Sequence, residues 1–184
     1  TSDVSEMFLK ILLDEKDRKY HRFTFEGKDF EWQVILFGNL SSPNASQKVI
    51  QKNADEHGAK LPEAVESVRN SCYMDDIADS RVTEEEALSL AEQSIELFKH
   101  CQMPLRKFYT NSDLVCKKLG PELLAKQISF DDNENVVHDQ GKVLGMRHSM
   151  EDGDCFTFAG KFRNIREYLM KVRKTKLPPG RWTK

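Results

Sequence analysis

The amino-acid sequence predicts an α+β fold, and three observations carry that prediction. Helical periods and strand-like alternation intermix along the chain without a regular βαβ repeat, which argues against a doubly wound parallel sheet. The length, 184 residues, suits one domain or one domain plus a fragment. The composition, 39% apolar and 32% charged, suffices for a buried core inside a heavily charged surface. No run of 18 apolar residues occurs, so no membrane span is expected. Thr1-Ser2-Asp3 lacks the basic-then-apolar pattern of a secretory leader.

Asp3 to Leu13 mixes strand-like and helix-like signals, and its period assigns neither. A hairpin is predicted next: His21 to Phe25 alternates, Glu26-Gly27-Lys28 turns, and Phe30 to Phe37 returns. Gly38 to Ser42 reads as a loop, and Pro43 suits the first position of a helix running to His57 and stopping at Gly58. Pro62 opens a second helix with Ala64, Val65 and Val68 on one face. Cys72-Tyr73-Met74 and Ile77 to Ser80 form a strand–turn–strand with Asp75-Asp76 at the tight turn, a position natural for aspartate. Glu84 to His100 is the best helix: Thr83 and Glu86 make a capping box, and Ala87, Leu88, Ala91, Ile95 and Phe98 form its buried stripe. Leu105 to Tyr109 reads as a strand and Asn111 to Leu119 as a short helix ended by Gly120-Pro121. Val143 to Met146 and Phe156 to Phe158 read as a second hairpin across the acidic loop Glu151 to Asp154.

The four cysteines, Cys72, Cys101, Cys116 and Cys155, lie far apart without a CxxC pair. A zinc site needs closely spaced ligand pairs, so reduced thiols in an intracellular protein are the expectation. Charge is uneven. Lys161 to Lys184 holds nine basic residues and one acid, Glu167, on an otherwise acidic chain. Such a segment suits contact with polyanions, and equally a solvated tail or linker.

The chemistry concentrates at Tyr73-Met74-Asp75-Asp76. Two carboxylates on one tight turn project together towards a cation, and Mg²⁺ is normally held by one or two carboxylates plus substrate phosphates. A bare aspartate pair is more often solvated turn chemistry, so the weight falls on the surrounding motifs.

Tyr73-Met74-Asp75-Asp76 after an apolar approach resembles the active-site motif of reverse transcriptases. Asp3-Val4-Ser5-Glu6-Met7-Phe8 resembles their first catalytic motif, an aspartate with an aromatic residue five positions on. Asp14-Glu15-Lys16-Asp17-Arg18-Lys19-Tyr20 is similar to the segment that follows it in retroviral enzymes. Phe37-Gly38-Asn39-Leu40-Ser41-Ser42-Pro43 resembles the nucleotide-contacting motif of retrotransposon polymerases. Leu105-Arg106-Lys107-Phe108-Tyr109-Thr110-Asn111-Ser112 is similar to a segment of the BEL/Pao group of LTR retrotransposons. Leu144-Gly145-Met146-Arg147-His148, followed by Phe156-Thr157-Phe158, resembles that group's primer-grip region. These motifs, in family order, cover nearly the whole chain.

The resemblance implies a polymerase palm: residues 1–160 as a partial palm-like domain, a β-sheet with helices packed on one face, fingers largely absent and thumb absent. Residues 161–184 are the basic connecting segment. It implies RNA-directed DNA polymerase chemistry, two-metal nucleotidyl transfer from a dNTP to a primer 3′-hydroxyl. Asp3, Asp75 and Asp76 are the implied catalytic residues and ligands of two Mg²⁺ ions, with Mn²⁺ as the alternative. Val4, through its carbonyl, Phe8 as steric gate, Phe37, Gly38 and Lys107 are the implied nucleotide contacts. Tyr73, Met74, Leu144 and Gly145 are the implied primer contacts. Core packing is the competing role for Phe8, and a solvated strand lysine the competing role for Lys107. Implied partners are an RNA or DNA template with its primer, dNTP and the remainder of a retroelement polyprotein, with no membrane. The implied location is a cytoplasmic retroelement particle or the nucleus.

The chain departs from the family pattern at Asn44-Ala45-Ser46, where an apolar or aromatic residue usually follows the proline. His148 and Phe108 stand where tryptophan is usual. The alternative reading is a catalytically silent or domesticated palm that binds nucleic acid or another protein.

Overall fold

The structure is a computed structural model that describes residues 1–131, 133–138, 141–143, 146–149 and 155–158, the last three stretches by their backbone. Its centre is a four-stranded sheet of short antiparallel strands, β1 (Ser2–Val4), β4 (Cys72–Tyr73), β5 (Asp76–Ile77) and β6 (Leu105–Arg106), in the order β4-β5-β1-β6. The stretch Asp3 to Leu13, ambiguous by period, is β1 followed by a 3₁₀ turn over Met7–Lys10. Helix α1 (Glu15–Arg18), capped by the Asp14 side chain, is a single exposed turn with no buried residue, so it carries no amphipathic signal.

The predicted first hairpin is present as β2 (Arg22–Phe25) and β3 (Lys28–Glu31). Its turn is two residues, Glu26 and Gly27, both at positive φ, the arrangement whose twist matches a hairpin. The return strand ends at Glu31 rather than Phe37 because the chain changes partners. Leu13 N–H donates to the Gln33 carbonyl, and Ile35 N–H to the Ile11 carbonyl.

Helix α3 (Pro62–Asn70) starts at its proline, α2 (Ser42–His57) starts at Ser42, one residue before the expected Pro43, and α4 (Glu84–His100) carries the complete Thr83–Glu86 capping box. On α4, Ala91 and Phe98 are buried, whereas Ala87, Leu88 and Ile95 are half-buried and Leu97 and Ser94 complete the buried face. Asn53 of α2 donates to the Leu97 carbonyl at 2.9 Å, tying the two long helices inside the core. Ile50, Leu97, Phe98 and Met103 are essentially inaccessible, each contributing about 1.5–3 kcal/mol by burial.

The strand predicted over Ile77 to Ser80 stops at Ile77. Asp79 takes the Ser80 amide and the Arg81 guanidinium at 2.7 Å each, a local bonding pattern that competes with strand pairing. The strand predicted to Tyr109 stops at Arg106, because Lys107 adopts φ 55°. Helix α5 (Asp113–Leu119) is capped by Ser112 and ends at Gly120, φ 79°. The hairpin β7 (Ile128–Phe130) with β8 (Val136–His138) is not among the expected elements. The final hairpin is a three-stranded sheet, since Val143 ends β9 (Gly141–Val143), which pairs with β10 (Met146–Ser149), and β10 pairs with β11 (Cys155–Phe158). Leu144, Gly145, the loop Glu151 to Asp154 and the basic segment 161–184 lie outside the described residues.

Among the described residues, no helix is long and apolar enough to cross a membrane. Cys72 and Cys101 are half-buried free thiols and Cys116 a buried one; burial pushes Cys116 up to about 11, which keeps it protonated.

Candidate active site

Strand alternation builds the site. Ser2, Val4, Ile77 and Leu105 are buried on one face of the central sheet. Their neighbours Asp3, Asp76 and Arg106 project from the opposite face. The register places Asp3 directly opposite Asp76 on β5 and opposite Arg106 on β6. Residues 73 positions apart in the chain thus become cross-strand neighbours, with Cβ atoms about 4.5–5.5 Å apart in such a pair.

The acidic turn differs from the expected arrangement in one respect. Its two-residue loop is Met74–Asp75, with Tyr73 paired to Asp76, so Asp76 is a strand residue rather than a turn residue. Met74 takes the left-handed backbone, φ 58°, which reverses the chain one residue earlier than an Asp75-Asp76 turn would. The Asp75 carbonyl accepts the Val4 N–H at 2.7 Å, stitching the turn to β1.

The electrostatics are those of crowded acids. Burial lifts the Asp76 carboxyl above its usual range; the Asp75 and Asp3 charges lift it further, and Lys107 opposes them. Lys107 Nζ donates to Asp3 Oδ2 at 3.1 Å from a largely exposed side chain. Its positive φ directly after β6 goes with an ammonium set on the acidic face.

The remaining expected site residues divide. Val4 is buried, and its N–H is engaged by the Asp75 carbonyl. Phe8 is buried within the core, yet its ring meets exposed Phe37 edge-to-face at 4.8 Å. Gly38 follows at φ 89° with open space where a side chain would stand, and the preceding Leu36 carbonyl is held by Ser42 Oγ at 2.6 Å. Tyr73 is exposed and Met74 packs partly on the core. Leu144 and Gly145 lie outside the described residues.

Three carboxylates are hard oxygen donors, the chemistry that suits Mg²⁺ or Mn²⁺ rather than zinc. Among the described residues, no three His, Cys, Asp or Glu side chains already stand as a closed metal-holding group. Asp3 and Asp76 supply a pair on one face, Asp75 adjoins them, and Lys107 occupies one Asp3 oxygen. Donor type and shared face therefore fit a divalent cation whose shell is completed by phosphate oxygens. Gln47 also reaches this turn, donating to the Met74 carbonyl at 3.0 Å. Nothing in the local sequence marks it, because the contact joins a helix to a turn 27 residues away.

The family model described as reverse transcriptase (RNA-dependent DNA polymerase) matches residues 1–111, which contain β1, the acidic turn and Lys107. The chain is similar to the enzymatic polyprotein of cauliflower mosaic virus, 26% identical for strain Strasbourg over 99% of the chain and 26% of the relative. For strain D/H the figures are 25%, 99% and 27%. The chain spans about a quarter of the length of these curated relatives.

Proposed function

Because the chain belongs to the reverse transcriptase (RNA-dependent DNA polymerase) family, we propose that its acidic face carries out nucleotidyl transfer from a dNTP to a primer 3′-hydroxyl on an RNA or DNA template. The observation that carries this is the register of Asp3 against Asp76, which gathers acids from two distant motifs on one sheet face beside Lys107. The sheet with its opposite face buried is read as a polymerase palm. The motif around Leu105 to Ser112 favours the BEL/Pao group. The larger protein is then a retroelement polyprotein working in a cytoplasmic particle or the nucleus.

Asp3, Asp75 and Asp76 would hold Mg²⁺, one or two ions, with Mn²⁺ as substitute. When bound, the metal supplies Lewis-acid stabilisation of the attacking and leaving oxygens. The protein's own groups do the rest. Burial, and then repulsion from Asp75 and Asp3, raise the Asp76 carboxyl and make the site receptive to added positive charge. Lys107 relieves part of that repulsion, and its ammonium, held on Asp3 at the edge of the acidic face, is the group that would meet a departing pyrophosphate. The Phe8–Phe37 edge-to-face pair forms an apolar wall suited to the sugar, with Gly38 leaving room for a base. Tyr73 and Met74 face the primer end.

The test is Mg²⁺-dependent primer extension on a primed RNA template, with Asp75→Asn and Asp76→Asn as variants. Each variant is expected to lose about 10²–10³-fold in rate, the scale for removing one charge-stabilising group. Extension that ignores both substitutions, or that proceeds in excess chelator, would refute the assignment. The Lys107–Asp3 pair favours one second reading, a silent palm that binds nucleic acid. Salt-sensitive template binding without extension under any metal would select it.

A further inference from the structure

We propose that Gln47 is a positioning residue for Asp75 and Asp76: its side-chain amide holds the Met74 carbonyl and so fixes the two-residue turn that carries Asp75 and leads directly into Asp76. The proposal rests on the polymerase reading above and assigns this turn its support. A two-residue loop with a methionine at φ 58° does not hold itself, since an L side chain in the left-handed region persists only where surrounding contacts over-determine it. Here the contacts come from both sides. The Asp75 carbonyl is held by the Val4 N–H at 2.7 Å, and the Met74 carbonyl by Gln47 Nε2 at 3.0 Å, with the Cys72 thiol facing the same oxygen at 3.7 Å.

The helix that carries Gln47 is rigid at this level. Ser46 and Ile50, on either side of it, are fully buried, and Asn53 anchors the same helix to the Leu97 carbonyl. Gln47 therefore ties the turn to the core, and rotation of the Met74–Asp75 peptide would break that tie and displace Asp75 from its place beside Asp76. The chemistry of the side chain also fits the place. A neutral amide donates to backbone without pairing with the neighbouring carboxylates; a lysine would compete for them, and a glutamate would repel them.

The test compares Gln47→Met and Gln47→Glu with the native chain, and Lys48→Met as a control on the same helix. Amide hydrogen exchange at Val4, which donates to the Asp75 carbonyl, reads the turn; exchange at Met103, which donates to the Phe98 carbonyl, reads the core. Gln47→Met is expected to speed Val4 exchange about fivefold and leave Met103 unchanged, a factor equivalent to one neutral hydrogen bond of roughly 1 kcal/mol. Mn²⁺ affinity, measured by electron paramagnetic resonance, should fall by a similar factor. Gln47→Glu should show at least that defect at pH 7.5, because an ionised carboxylate has no proton to donate to the Met74 carbonyl. Equal acceleration at Val4 and Met103, or none at Val4, would overturn the proposal. If Gln47→Met does not fold, Gln47→Glu, which keeps the size of the side chain, decides alone by the same comparison of Val4 with Met103. Native protein that binds no Mn²⁺ would sink the metal reading, while the exchange data still judge Gln47.

Discussion

Replacing Asp76 with asparagine should stabilise the metal-free protein at neutral pH. The native carboxyl sits opposite Asp3 and beside Asp75, and its affinity for protons is raised first by burial and then by those two charges. A carboxyl whose folded-state pKa exceeds its unfolded value favours the fold while protonated; that contribution is present at low pH and lost as pH rises through the folded pKa. At pH 7.5 the ionised group therefore opposes folding. Two carboxylates about 6 Å apart repel by roughly 0.7 kcal/mol in water and about 3 kcal/mol at an effective dielectric of 20. Lys107 offsets part of this, and Asp76 is only half-buried, so solvent screening reduces the net to about 0.5–1 kcal/mol. For a chain of this size that corresponds to a rise of about 1–4 °C in melting temperature. Thermal unfolding in chelator at pH 7.5 and again near pH 3 tests it: the gain of Asp76→Asn should be present at the first and absent at the second. With millimolar Mg²⁺ and a bound dNTP the order should invert, because the native acid then has a cation to hold. A variant less stable than the native protein at pH 7.5, or a gain that does not vary with pH, would refute the account of crowded acids.

Phe8→Ala should do two separable things: cost about 3 kcal/mol as a buried aromatic, read by denaturant unfolding, and raise ribonucleotide use relative to deoxynucleotide by about tenfold, read by competitive incorporation. Loss of stability with an unchanged sugar preference makes it a core residue only. Gly58→Ala should cost about 1–3 kcal/mol, because an added Cβ would overlap Val65 Cγ2 between α2 and α3, and overpacking forces one of them to move. Unfolding of the double variant Gly58→Ala/Val65→Ala should show most of that loss recovered.

Much of this protein is written locally. The α4 helix begins at a capping box four residues long, α2 and α3 carry prolines in their first turns, and the acidic pair announces itself by type and neighbours. Such features are decided within a few residues by hydrogen-bonding capacity and allowed backbone angles, so reading the sequence suffices for them. Other features required the assembled chain. Strands of two or three residues, such as β5 and β6, are too short to show a period, and pairing on both sides of β1 defines them. The return of the first hairpin stops where the segment Ile11–Leu13 offers better partners, a competition invisible until both segments are placed. The same holds at the site. The sequence named Asp3, Asp75, Asp76 and Lys107, but antiparallel register decided that Asp76, rather than Asp75, faces Asp3. Tertiary packing alone brought Gln47 to the Met74 carbonyl and Phe37 to the ring of Phe8. Identity of a chemical group is a property of one residue; its partner across a sheet depends on register, which the whole core fixes by burying one face and leaving the other to the acids.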